Sequence, residues 1–140
     1  MQNKFIKTSL LCFATALLAA CSVTPMQAIQ YAAENPADGY TGTFSITVQA
    51  HGQSGGKTYL NSEKDYRDQR NLSIEMTPEA VAELKERTGK TPDDLIGSKI
   101  QVNGVARSVK INIWDHGEKT GLYYFQTHVM VDSATQIHIQ

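Results

Sequence analysis

The chain has 140 residues, 13 basic against 14 acidic, for a formal charge of −1; this bounds it to about one ordinary domain and argues against a surface built on excess positive charge for nucleic acid. Cysteine is confined to Cys12 and Cys21, so nothing beyond residue 21 offers a thiol for a disulfide, a metal or a nucleophile. No internal repeat, block of like charge, phosphate loop or dinucleotide fingerprint is present, so the expectation is a chain that is not an enzyme and needs no cofactor.

The first stretch carries Lys4 and Lys7 ahead of the apolar, uncharged run TSLLCFATAL, Thr8 to Leu17. That run is shorter than the roughly 20 apolar residues a permanent membrane span needs and suits the core of a secretion signal. It ends in Leu18-Ala19-Ala20-Cys21, which resembles the lipobox of bacterial lipoproteins. The resemblance implies that residues 1–20 are a removed signal peptide and that Cys21 becomes the lipidated N-terminus, acylated with palmitate-like chains. Each buried methylene contributes about 0.8 kcal/mol, and several chains make a lasting anchor. Ser22, rather than aspartate, follows the cysteine. By the sorting rule of such lipoproteins this implies the outer membrane with the domain facing the periplasm; a cell-membrane anchor is the alternative. Residues 1–20 hold two of the 13 basic residues and no acid, so the remainder carries 11 against 14, a formal −3.

Residues 21–40, punctuated by Pro25, Pro36 and Gly39, read as a lipidated tether with a short helical stretch from Met26 to Glu34. The domain then occupies 41–140. In Thr43 to Ala50, Phe44, Ile46, Val48 and Ala50 alternate with polar residues, the period of a half-buried strand. His51 to Gly56 reads as a glycine-rich turn, Lys57 to Asn61 as a second strand, Ser62 to Arg70 as a charged loop, and Leu72, Ile74 and Met76 as one face of a third strand.

The period then changes. Thr77-Pro78-Glu79 is a helix start, with a hydroxyl cap, proline at the first helical position and an acid in the first turn, and Gly89 is the stop. Thr91 to Ile96 repeats the signal for one further turn, ended by Gly97. Ile100 and Val102 alternate up to Gly104, which marks a bulge or bend, and Val109, Ile111 and Ile113 alternate after it. Asp115 to Gly121 reads as a turn, Leu122 to Val131 as the most strand-prone run, and Gln136 to Gln140 as a closing strand.

Three strands, one helix, then three or four strands define a mainly β chain with the helix between strands three and four. That is the layout of the OB-fold, a small, partly open Greek-key β-barrel; an α+β sheet with one packed helix is the alternative. The run Tyr59 to Asp68 with Asn71 to Ile74, and the strand Gly97 to Gly104, resemble exported bacterial OB-fold-like proteins that carry an "LNS…DYRD" loop between strands two and three. The resemblance implies the fold but no activity, and this sequence departs from those proteins by inserting a hairpin at about 109–131.

Four features carry candidate chemistry. The loop Asn61 to Asn71 holds Asp65 and Asp68 as oxygen ligands, with Lys64, Arg67 and Arg70 among them, and salt-linked turns are the plainer reading. His128 and His138 fall on strands expected to be neighbours, so they are zinc candidates. Trp114, Tyr124 and Tyr66 are aromatic side chains that can stack on a ring, with Arg67 beside them; core packing of the Tyr123-Tyr124-Phe125 triplet is the competing reading. The expected function is therefore a membrane-anchored binding or envelope-maintenance module, its partners being the membrane through the lipid and an envelope protein or glycan. A metal-dependent hydrolase and an oligonucleotide-binding OB domain are the alternatives, and the acidic balance opposes nucleic acid.

Overall fold

The computed structural model describes residues 21–140; the expected signal peptide lies outside the described residues. The first element is helix α1, Pro25–Glu34. Thr24 caps it by a capping box with Gln27, and Pro25 supplies the first helical φ. Ala28 and Ala32, four apart on one face, are fully buried, and such small side chains let the helix lie close on the sheet. Val23 bridges to Phe44, so the folded unit begins two residues after Cys21. Residues 21–40 are therefore not the expected tether. The signal was an alanine pair at helical spacing, which reads as polar linker composition unless the sheet beneath it is known.

The strands follow as β1 (Tyr40–Thr47), β2 (Ala50–Ser54), β3 (Lys57–Asn61) and β4 (Leu72–Met76). Helix α2 spans Pro78–Thr88. A 3-10 turn over Asp93–Leu95 leads to β5 (Lys99–Asp115), β6 (Glu118–Val131) and, after a second 3-10 turn, β7 (Ile137–Ile139). The hydrogen-bonded path is β1-β5-β6-β4-β3-β2, with β7 beside β5. The β4–β6 pairing is parallel and the others are antiparallel. The sheet is not closed by a ladder, yet its two end strands are consecutive in the chain. At the corner between them Val48 N donates to Ser98 O (2.9 Å) and Gln49 N to Asn61 O (2.8 Å), so the chain crosses from β5 to β3 there. The result is the mainly β, OB-like fold expected, with two helices rather than one.

The alternating residues of these strands make the core. Phe44, Ile46, Leu60, Leu72, Ile74, Met76, Ile100, Val102, Val129 and Val131 are buried together with Ala80 and Leu84 of α2. Thr77 caps α2 by accepting from Ala80 N at 3.1 Å, and Gly89 ends it at φ +72°, as the sequence indicates.

Three boundaries differ from expectation. The first strand is split at Val48–Gln49, so α2 falls between β4 and β5. The expected turn at His51–Gly56 contracts to Gly55-Gly56, because two residues at positive φ suffice to join β2 to β3. Likewise Asp115–Gly121 contracts to His116-Gly117, at φ +47° and +85°. β5 is continuous through Gly104, which instead marks a change of partner. Residues 100–102 pair with β7, and from Ala106 the strand pairs with β6. A β-carbon on Gly104 would come within 2.9 Å of Val129 Cγ1. The bulge lies further on, between Asn112 and Trp114.

Candidate functional site

The outward face of β3, β4, β6 and β5 bears a row of polar residues in register. Asn61 opposes Ser73, Ser73 opposes His128, and His128 opposes Arg107; beside them Tyr59 opposes Glu75. The same alternation that sends Leu60, Ile74 and Val129 inward sends these outward. The hairpin of β5 and β6 continues this face with Ile111 opposite Tyr124. The loop 62–71 rises on the other side. Together they enclose a broad concavity of about 1290 Å³.

A chain of hydrogen bonds runs beneath this face and reaches its floor at His128 and Gln126. Lys57 pairs with Glu75 Oε1. Glu75 Oε2 lies 2.9 Å from His128 Nδ1, and His128 Nε2 lies 2.9 Å from Gln126 Oε1. Gln126 Nε2 donates to Tyr66 O (3.2 Å) and approaches Tyr124 Oη at 3.0 Å. Its amide orientation follows from that carbonyl, which only the NH₂ group can serve. Both nitrogens of His128 are thus engaged, one by a carboxylate and one by an amide oxygen. Tyr59 meets the same ring edge-on, centroids 5.6 Å apart. Burial raises the Glu75 carboxyl, but the hydrogen bonds from Lys57 and His128 outweigh it and hold the group below the usual carboxylate range. Lys57 is raised by the same bond, and burial pushes the Tyr59 hydroxyl up.

The loop 62–71 is pinned by one buried amide. Asn71 Nδ2 donates to Ser73 Oγ (2.9 Å), Asn61 Oδ1 (3.2 Å) and Tyr66 O (3.4 Å), while its Oδ1 accepts from Glu63 N (3.1 Å). Asp65 and Asp68 each accept from the backbone two residues on, Arg67 N and Arg70 N, both at 2.9 Å. These local turns present Tyr66 and Arg67 outward, with the Arg67 guanidinium 5.0 Å from the Tyr66 ring centroid.

The metal candidates are not brought together. Asp68 is held by Arg70, whose Nη2 lies 2.7 Å from Oδ2, and the bond pulls the carboxyl to about 2. His138 opposes Gln101 and His128 opposes Arg107, six positions apart on β5 and so about 20 Å along the strand. The expectation that they neighbour each other fails because β7 pairs with β5, not β6. Among the described residues no group of three or more His, Cys, Asp or Glu could hold a metal.

The binding candidates do converge. Tyr66 and Arg67 from the loop, Tyr124 from β6 and Trp114 from the end of β5 all line the concavity. Trp114 is 58% exposed and Tyr124 half-buried. Tyr123 and Phe125 share the opposite face of β6, centroids 5.7 Å apart, and are exposed rather than core, because the hairpin runs on past the packed core. Sequence reasoning missed Glu75, Gln126 and Lys57. The signal available was Glu75 itself, an acid on the outward face of a strand whose other face is wholly apolar.

No protein-family model and no curated protein matches the chain. Among solved structures it is similar to a Leishmania major Friedlin protein described as an aspartyl-tRNA synthetase, with 13% identity and a TM-score of 0.48, covering 94% of this chain and 22% of that one. It is also similar to the aspartyl tRNA synthetase from Entamoeba histolytica, with 14% identity and a TM-score of 0.45, covering 97% of this chain and 24% of that one. The chain thus spans about a quarter of the length of either protein, and neither likeness bears on activity.

Proposed function

We propose that the chain is a lipoprotein, anchored through Cys21 to the outer membrane and facing the periplasm, that binds an envelope component across the concave face. The observation that carries this reading is the meeting of Tyr66, Arg67, Trp114 and Tyr124, drawn from three separate elements, on one concave surface. Exposed aromatic faces beside fixed polar groups are what a binding surface needs, and no arrangement on that face offers a nucleophile next to a base. Cys21 is exposed and stands two residues before Val23, so a lipid there would hold the domain directly at the bilayer surface.

Two measurements test the reading. Labelled palmitate should enter the wild type and not Cys21→Ala, with the label in the outer-membrane fraction. The intact protein, extracted in detergent, should retain an envelope component that the Trp114→Ala/Tyr124→Ala variant loses. Unlabelled protein removes the anchor, and retention indifferent to the double substitution removes the binding face.

A further inference from the structure

The charge on the concave face is opposite to that of the chain. Beyond residue 20 the chain carries 11 basic against 14 acidic residues, yet no aspartate or glutamate lines the concavity, while Lys64 and Arg67 stand at its rim; the two nearest carboxylates are engaged, Asp93 by His51 at one edge and Glu75 by Lys57 and His128 beneath the floor. Among the described residues neither cation belongs to an ion pair: Lys57 is taken by Glu75 and Arg70 by Asp68. Arg67 is instead laid against the Tyr66 ring, which fixes its direction without neutralising it. A surface of one sign on a molecule of the other selects a ligand of complementary charge.

The remaining lining narrows the class. Tyr59, Tyr66, Tyr124 and Trp114 line it with aromatic rings, Tyr66 carrying Arg67 and Trp114 carrying Lys119 on one face, and Gln53, Gln69 and Asn112 are exposed amides around them. Each amide presents a donor pair and an acceptor side by side. That combination complements a pyranose, with its apolar C–H face and its vicinal hydroxyls that both donate and accept. A peptide held by strand addition would need a free sheet edge, whereas this is a sheet face. A polynucleotide carries one phosphate per residue and needs a cation for most of them, and the face has only two free ones.

We infer that the concave face binds a carboxylate-bearing glycan chain, with Lys64 and Arg67 taking the carboxylates and Tyr66, Tyr124 and Trp114 the sugar rings. This rests on the proposed binding face and names its ligand class.

The test uses the full-length protein in detergent micelles, titrated calorimetrically with short oligogalacturonates, their methyl esters, oligothymidylate and oligoglutamate. The expected result is a dissociation constant for the oligogalacturonate below about 1 mM, weakened about tenfold or more by methyl esterification and by Lys64→Gln/Arg67→Gln. Equal affinity for the neutral ester, preference for oligothymidylate or oligoglutamate, or no binding of the oligogalacturonate overturns the glycan assignment. If that happens while Trp114→Ala/Tyr124→Ala still strips the retained component from the envelope extract, the binding face stands and only its ligand class falls. If the extract is also indifferent, both fall.

Discussion

His128 Nδ1 lies 2.9 Å from Glu75 Oε2, on a ring only 4% exposed, and this pair ties the centre of the sheet to the hairpin through Gln126. Removing the charge from Glu75 leaves the imidazole and Lys57 facing a neutral amide that cannot serve both as acceptor. Glu75→Gln is expected to lower unfolding stability by about 1–3 kcal/mol, read as a shift in the urea midpoint at unchanged slope. A midpoint that does not move would show that the pair contributes nothing net, as some buried ion pairs do.

Acid should destabilise the protein through the carboxylates that the fold holds ionised. Asp68, bonded by Arg70, titrates near 2 against 3.8 when free, and Glu75 is lowered by Lys57 and His128 despite its burial. A folded-state value below the unfolded one means the native state binds fewer protons. The stabilisation is then present above the unfolded value and is lost as pH falls through the folded one. The stabilisation from these two carboxylates should therefore be fully present by about pH 5 and decline below about pH 4. Asp68→Asn should flatten the decline between 3.8 and about 2, measured by thermal melts across that range. An unchanged acid limb would place the loss elsewhere.

The loop that presents Tyr66 and Arg67 depends on Asn71, whose amide reaches Asn61, Ser73 and the Tyr66 carbonyl. Asn71→Ala leaves the buried hydroxyl and amide beneath it short of partners, at a cost of about 1–3 kcal/mol. Amide hydrogen exchange should report the change where it occurs, as lost protection at Arg67, Asp68 and Asn71 with β5 and β6 unaffected. Uniform loss across the sheet would mean that the loop is not a separate cooperative unit.

The elements with strong local signals were legible. Thr77-Pro78 and Gly89 bounded α2 because a cap and a left-handed stop are local chemistry, and Leu72, Ile74 and Met76 marked β4 because alternation is local too. What the sequence hid was partnership. Gly104 reads as a bend, but its reason is a side chain on another strand, Val129, that no local pattern reveals. The convergence of Tyr66, Arg67, Trp114 and Tyr124 was legible only as four separate candidates. Their meeting depends on the parallel β4–β6 pairing, which sets the loop beside the hairpin. The His128–Glu75 pair was hidden for the same reason, lying across a ladder between residues 53 apart.

Residues 21–40 give the sharpest contrast between a tether and a packed element. Ala28 and Ala32 are fully buried, and α1 touches β1, β4, β5 and β6. A carboxylate at position 32 would be driven into that contact with no cation provided, and burying an unpaired charge is far costlier than removing a methyl group. Ala32→Asp is expected to destabilise by more than about 3 kcal/mol or to prevent folding, whereas Gln30→Asp, exposed on the same helix and losing only its bond to Glu34, should cost less than about 1 kcal/mol. Circular dichroism melts of the two variants decide the matter. If both behave as wild type, the helix is not part of the cooperative unit, the core must be complete without it, and a lipid at Cys21 would hold the domain on a free linker rather than against the bilayer.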